Sequence, residues 1–137
     1  MLFHGLFLGS LIWAALSDLK RREIPNLCCL GLLLAGFCRI QEGRLALDEA
    51  VVSLLAIGLL MLACSLWRDS MGGGDVKLAA CASFAVGLVP SIHAMTASIG
   101  AAVIVGLLMM LIRGKKGGIP LAPFFLTGYA IIFYCEV

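Results

Sequence analysis

Two aspartates stand at the edges of apolar runs, where a charge is costly. Asp18 lies in Ser17-Asp18-Leu19-Lys20-Arg21-Arg22-Glu23-Ile24-Pro25-Asn26, and Asp75 in Gly72-Gly73-Gly74-Asp75-Val76-Lys77-Leu78. Each marks a junction between a hydrophobic segment and a basic turn. An ionisable residue next to the hydrocarbon region is a functional-site candidate by default. Two neighbouring carboxylates cannot readily both ionise, so one keeps a proton while the other acts as a base toward water. That is the acid/base requirement for hydrolysing a peptide bond. Taken singly, Asp18 also reads as a solvated charge balancing Lys20 to Arg22, and Asp75 as a helix N-terminal residue favoured by the helix dipole.

The composition sets the solvent in which the two must meet. The 137 residues are 62% hydrophobic and 13% charged, with a mean hydropathy of +1.09. So little polar surface cannot coat a soluble globule of this size, and an integral membrane protein follows. The length suits a single domain over residues 1–137. A net charge of +2 is too small to point to nucleic acid, leaving the lipid bilayer as the expected surroundings.

Six apolar segments alternate with short polar breaks: Leu2 to Ser17, Asn26 to Ile40, Ala46 to Trp67, Val76 to Val89, Ser91 to Ile112 and Ile119 to Cys135. They predict an all-α, polytopic bundle of about six transmembrane helices. The third and fifth, each ~33 Å long as helices, span a ~30 Å hydrocarbon core. The second and fourth are shorter; as crossings they demand tilt, local thinning or a recessed end, which would draw the aspartates toward a cavity at the membrane edge. Small residues behind the first run (Ala14-Ala15-Leu16-Ser17) imitate a signal-peptide cleavage site. The basic cluster follows that run instead of preceding it, so a retained helix is expected.

Eight of the ten lysines and arginines fall in or directly beside the breaks after segments one, three and five: Lys20 to Arg22, then Arg68 and Lys77 at the start of segment four, then Arg113, Lys115 and Lys116. By the positive-inside rule those breaks are cytoplasmic and both termini lie outside. Both aspartates then face the cytoplasm. Gly5 and Gly9, and the stripe Ala94, Ser98, Ala102 and Gly106, have the spacing of small-residue helix contacts.

Around Asp18, Pro25 biases Ile24 toward an extended conformation and leaves Asn26 placed to cap or turn the next helix. Around Asp75, Gly72, Gly73 and Gly74 remove side chains and permit close approach of another backbone, such as a substrate strand. Lys77 is placed to act on a carboxylate or on acidic substrate groups, and equally to anchor its helix among phosphate headgroups. Cysteines 28, 29, 38, 64, 81 and 135 fall mostly in apolar runs and read as small hydrophobes; no metal site is expected. His4 and His93 lie at the predicted outer ends, where packing roles are expected.

The residues Asp18 to Asn26, Gly72 to Leu78, and Ile119-Pro120-Leu121-Ala122-Pro123-Phe124-Phe125 together resemble the type IV prepilin leader peptidases, a family of Gly-Xaa-Gly-Asp intramembrane aspartyl proteases. The resemblance implies that Asp18 and Asp75 are the catalytic pair, that Gly72 and Gly74 are the signature glycines, and that no cofactor is needed. It implies cleavage of a short basic leader from prepilins or pseudopilins, at the cytoplasmic face of a bacterial inner membrane. Longer members carry Cys-Xaa-Xaa-Cys pairs associated with zinc and N-methylation of the product. Such pairs do not occur in this sequence, so the expectation is a short, peptidase-only form, similar to those serving Flp-type pili or simple secretion systems. Two readings of other classes stay open: a small ion-coupled transporter using the acids as a cation or proton site, and a non-enzymatic pilus or secretion assembly subunit.

Overall fold

Six helices follow one another in the computed structural model: α1 (Leu2–Arg21), α2 (Asn26–Gln41), α3 (Leu47–Arg68), α4 (Gly73–Val86), α5 (Leu88–Arg113) and α6 (Ala122–Glu136). The structure describes residues 2–21, 23–68, 72–114 and 122–136. Arg22, Lys115, Lys116, Ile119, Pro120 and Leu121, which enter the sequence reading, lie outside the described residues. The all-α bundle expected from the hydropathy pattern is what forms, with no strand among the described residues.

Three helices, α1, α3 and α5, are long and apolar enough to cross a membrane. The first joins the other two because its helix runs on to Arg21 instead of stopping at Ser17, with Lys20 and Arg21 in its last turn complementing the helix dipole. The shorter elements are α2, with 16 residues, α4, with 14, and α6, with 15. Large apolar side chains cover the outside, among them Ile104, Leu107, Leu111 and Trp67. A surface of that kind is stable against lipid and not against water.

The other helices bury one stripe each, whereas α4 is buried on every side from Ala82 to Val86. On α1 the buried residues are Phe3, Phe7, Leu11, Ala14, Ala15 and Asp18, a three-to-four spacing that keeps one face inward over about four turns. On α4 the buried face includes Leu78, Ala79, Ala82 and Ser83. Asp75 stands three residues before Leu78 on that same face. Both aspartates therefore extend a core stripe to its end, which turns them toward the bundle.

Packing proceeds around the bundle from α6 to α1, α2, α4 and α3, and returns through α5 to α6. Consequently α2 is the shared neighbour of α1 and α4, the helices that carry Asp18 and Asp75. Close approach is made by glycines other than those the spacing suggested. A Cβ at Gly36 would lie 3.1 Å from the backbone of Ala85 and closer still to the Phe84 ring, and one at Gly31 would collide with Ser10. Gly5 and Gly9, by contrast, are exposed with open space where a Cβ would be. The stripe on α5 is used in its first half: Ala94 and Ser98 are buried and lie directly against Gly128 of α6.

The corner between α4 and α5 falls at Gly87, with φ +98°, and not at Val89 or Pro90. Only glycine adopts that conformation cheaply. Pro90 is accommodated in the first turn of α5, where its missing N–H would have had no helical partner. At the same end of the molecule Arg39 donates to the Val86 carbonyl at 3.3 Å and lies 5.1 Å from the centre of the Phe3 ring. One side chain thus ties the end of α4 to the start of α1.

Candidate active site

At the opposite end of α4 the chain opens a cavity of about 340 Å³, lined by Asp18, Glu23, Ile24, Gly72, Gly73, Gly74, Asp75 and Lys77. Asp18 reaches it from the last turn of α1 and Asp75 from the first turn of α4. The two residues are 57 positions apart in the chain and share this one space.

Asp18 is 9% exposed, because its position continues the α1 core stripe. Asp75 is half-buried, and its N–H donates to the Gly72 carbonyl at 3.0 Å in the opening turn of α4. Its Oδ1 is buried without a hydrogen-bond partner among the described residues. Asp75 precedes the apolar part of α4, which starts at Val76, and sits at the mouth of the helix. Burial, and then the Asp18 charge, push its carboxyl up to about 6 from an ordinary 3.8. Both causes disfavour a second negative charge in one confined space. An isolated surface aspartate would show neither.

The three glycines before Asp75 do different things. Gly74 faces Ile24: a Cβ there would meet three Ile24 side-chain atoms at 3.3 Å. Gly72 has the Asp75 carboxylate 4.0 Å from its Cβ position, and Gly73 faces open space. Room for a second backbone thus belongs to Gly73, while Gly74 answers to a contact inside the protein. Lys77 is exposed at the cavity rim. Its charge is not among the causes that shift Asp75.

On the other wall, the Ser17 hydroxyl donates to the Glu23 carbonyl at 3.0 Å, folding the connection back onto α1. Pro25 occupies the N-cap position of α2 in an extended conformation (φ −66°, ψ 139°), and its carbonyl accepts the Cys28 N–H at 3.0 Å. Asn26, expected as a cap, is instead the first helical residue and is exposed, and no side chain caps the helix. Proline takes the cap because its fixed φ suits the entry. Glu23 and Ile24 line the cavity although the sequence reading did not place either in the site. Their adjacency to Pro25 was visible, but whether they reach the cavity depends on how the connection folds.

Among the described residues no group of histidine, cysteine or acidic side chains could hold a metal ion. His4 stacks edge-on against Phe3 and His93 bonds the Val89 carbonyl at 2.9 Å; neither lines the cavity.

The model of the type IV leader peptidase family matches residues 5–111, which takes in both aspartates and the whole cavity lining. The chain belongs to the type IV leader peptidase family. It is a membrane peptidase of the aspartic type. The family match ends before α6, so the likeness of residues 119–125 to the family's last helix rests on the sequence alone. No curated protein and no solved structure matches the chain.

Proposed function

We propose that this family member is an endopeptidase that removes the basic leader from a type IV prepilin or pseudopilin, with Asp18 and Asp75 as the catalytic pair. The single observation carrying the assignment is that two acids from distant helices share one cavity and raise the protonation range of one of them. In the reactive form Asp75 carries the proton and acts as the acid. Asp18 acts as the base: it takes a proton from a water held between the carboxyls, and that water attacks the scissile carbonyl. The proton on Asp75 passes to the carbonyl oxygen, and on collapse of the tetrahedral intermediate the departing amine is protonated by the dyad. No covalent enzyme intermediate forms, and no cofactor is invoked.

Orientation follows the positive-inside rule, which puts the cavity at the cytoplasmic face of a bacterial inner membrane. A prepilin enters with its hydrophobic helix in the bilayer and its leader at that face. Gly73, open on its Cβ side, gives the substrate strand room to lie near the carboxyls. The proposal is cleavage alone, without N-methylation, and a Flp-type pilin is the substrate to try first.

The experiment is cleavage in liposomes. Wild-type protein should shorten a prepilin at a single bond, identified by mass. Asp18→Asn and Asp75→Asn should each leave it intact while remaining folded. Ion flux dependent on either acid, without cleavage, would favour the transporter reading; neither activity would favour an assembly subunit.

A further inference from the structure

The spacing of the two acids needs a physical cause, since they sit on helices whose shared neighbour is α2. One residue of the connection after α1 that reaches the cavity shared by both acids is Ile24. It is partly buried and packed against the main core, and it lines the cavity between the segments that carry Asp18 and Asp75. On one side it sits 3.3 Å from the Cβ position of Gly74, the residue immediately before Asp75. On the other, its chain neighbours are anchored: the Glu23 carbonyl is held by Ser17, one residue before Asp18, and Pro25 has its φ fixed and its carbonyl bonded to Cys28.

From this arrangement we infer that Ile24 is a positioning residue for the dyad: it is the spacer that sets how closely the first turn of α4 approaches the last turn of α1. The inference rests on the dyad reading above, and it gives Gly74 a reason of its own. A methyl at position 74 would press on Cβ, Cγ1 and Cδ1 of Ile24 together at 3.3 Å, so Ile24 must give way by a few tenths of an ångström on the side that faces α4. Ile24 is apolar and touches neither proton nor substrate in this role. It acts through the separation and hydration of Asp18 and Asp75. The other charged groups facing the same cavity are Glu23 and Lys77, and neither is altered by changing Ile24.

The test measures two things on the full-length protein in detergent or liposomes. One is kcat and KM for prepilin cleavage; the other is the titration midpoint of the Asp75 carboxyl, followed by infrared or carbon NMR with labelled aspartate. Ile24→Ala should lower kcat by about ten- to a hundredfold, the scale of a catalytic group misplaced by ~1 Å, with KM changed by less than about threefold. It should also move the Asp75 midpoint below the wild-type value, because a looser, wetter pair repels less. Ile24→Val, which loses only Cδ1, should shift both in the same direction by less and keeps the test open should the alanine variant fold poorly. Gly74→Ala should lower kcat, and adding Ile24→Ala should restore part of that loss by vacating the space the new methyl needs. A structural filler would lose thermal stability with the midpoint unmoved. Unchanged kcat and midpoint in the Ile24 variants, or a double variant no better than Gly74→Ala, overturns the inference. If wild type cleaves no prepilin, the substrate assignment fails instead, and the titration still decides the spacer.

Discussion

The two ends of α4 treat polar atoms in opposite ways. Toward its C-terminus, Ser83 and Ser53 exchange hydroxyl-to-carbonyl bonds at 3.2 and 2.9 Å, Val86 is capped by Arg39, and Gly87 supplies the turn that lets α5 leave. Toward its N-terminus, a carboxylate oxygen of Asp75 is buried without a partner, beside a second buried acid and an open cavity. Burying an ionisable group without pairing it costs far more than burying a hydroxyl. The hydroxyls of Ser91 and Tyr129 are also buried and find at most one another, but they carry no charge. One end of α4 pairs its polar atoms, and the other gathers two acids in one cavity, the electrostatic arrangement that the proposed cleavage would draw on.

That contrast is broken most severely by neutralising the stored charge. Asp18→Asn or Asp75→Asn should lower the cleavage rate by roughly 10²- to 10⁴-fold, the usual contribution of a positioned acid or base. Stability should move the other way. Since the Asp75 carboxyl is raised to about 6 from 3.8, the folded protein binds that proton more tightly than the unfolded chain does. Its contribution is fully present below about 3.8 and is lost as the pH rises through about 6. Asp75→Asn should therefore melt higher than wild type at pH 7, with the gain shrinking toward pH 4, as read by thermal unfolding across that range.

The next effect is on the rate profile of the wild type. A dyad that must hold one proton loses it as pH rises, so kcat/KM in the free enzyme should fall above about pH 6, by about tenfold per unit. At the quiet end of α4 the changes should be smaller and confined to stability. Arg39→Met removes the hydrogen bond to Val86 and the contact with Phe3, and should cost about 1–3 kcal/mol. Ser83→Ala should cost about 1 kcal/mol, in keeping with hydroxyl bonds between membrane helices. Both variants should retain kcat within about twofold, checked by the same cleavage assay after denaturant titration.

Much of this division was written in the chain. The aspartates, their basic turns and the six apolar runs gave the expectation of two acids meeting at one membrane edge, and the two do share one cavity. The spacing of Phe3, Phe7, Leu11, Ala14 and Asp18, which gives the first acid its inward direction, goes unused when the first run is ended at Ser17. Helix ends were harder. Pro90 looks like a break, yet a proline fits the first turn of a helix, and the true corner is made by Gly87. Glycine roles were harder still, because Gly5 and Gly31 look alike in sequence and differ only in what stands opposite. The contact of Ile24 with Gly74 joins residues 50 apart, and no local pattern announces it.

The most direct measurement is the titration of the Asp75 carboxyl in wild type and in Asp18→Asn, both folded and free of substrate. The wild-type midpoint should lie near 6 and should fall when the neighbouring charge is removed, with burial keeping it above an ordinary aspartate. A wild-type midpoint near 3.8, or one indifferent to Asp18, would contradict the claim that these two acids share a proton in one site.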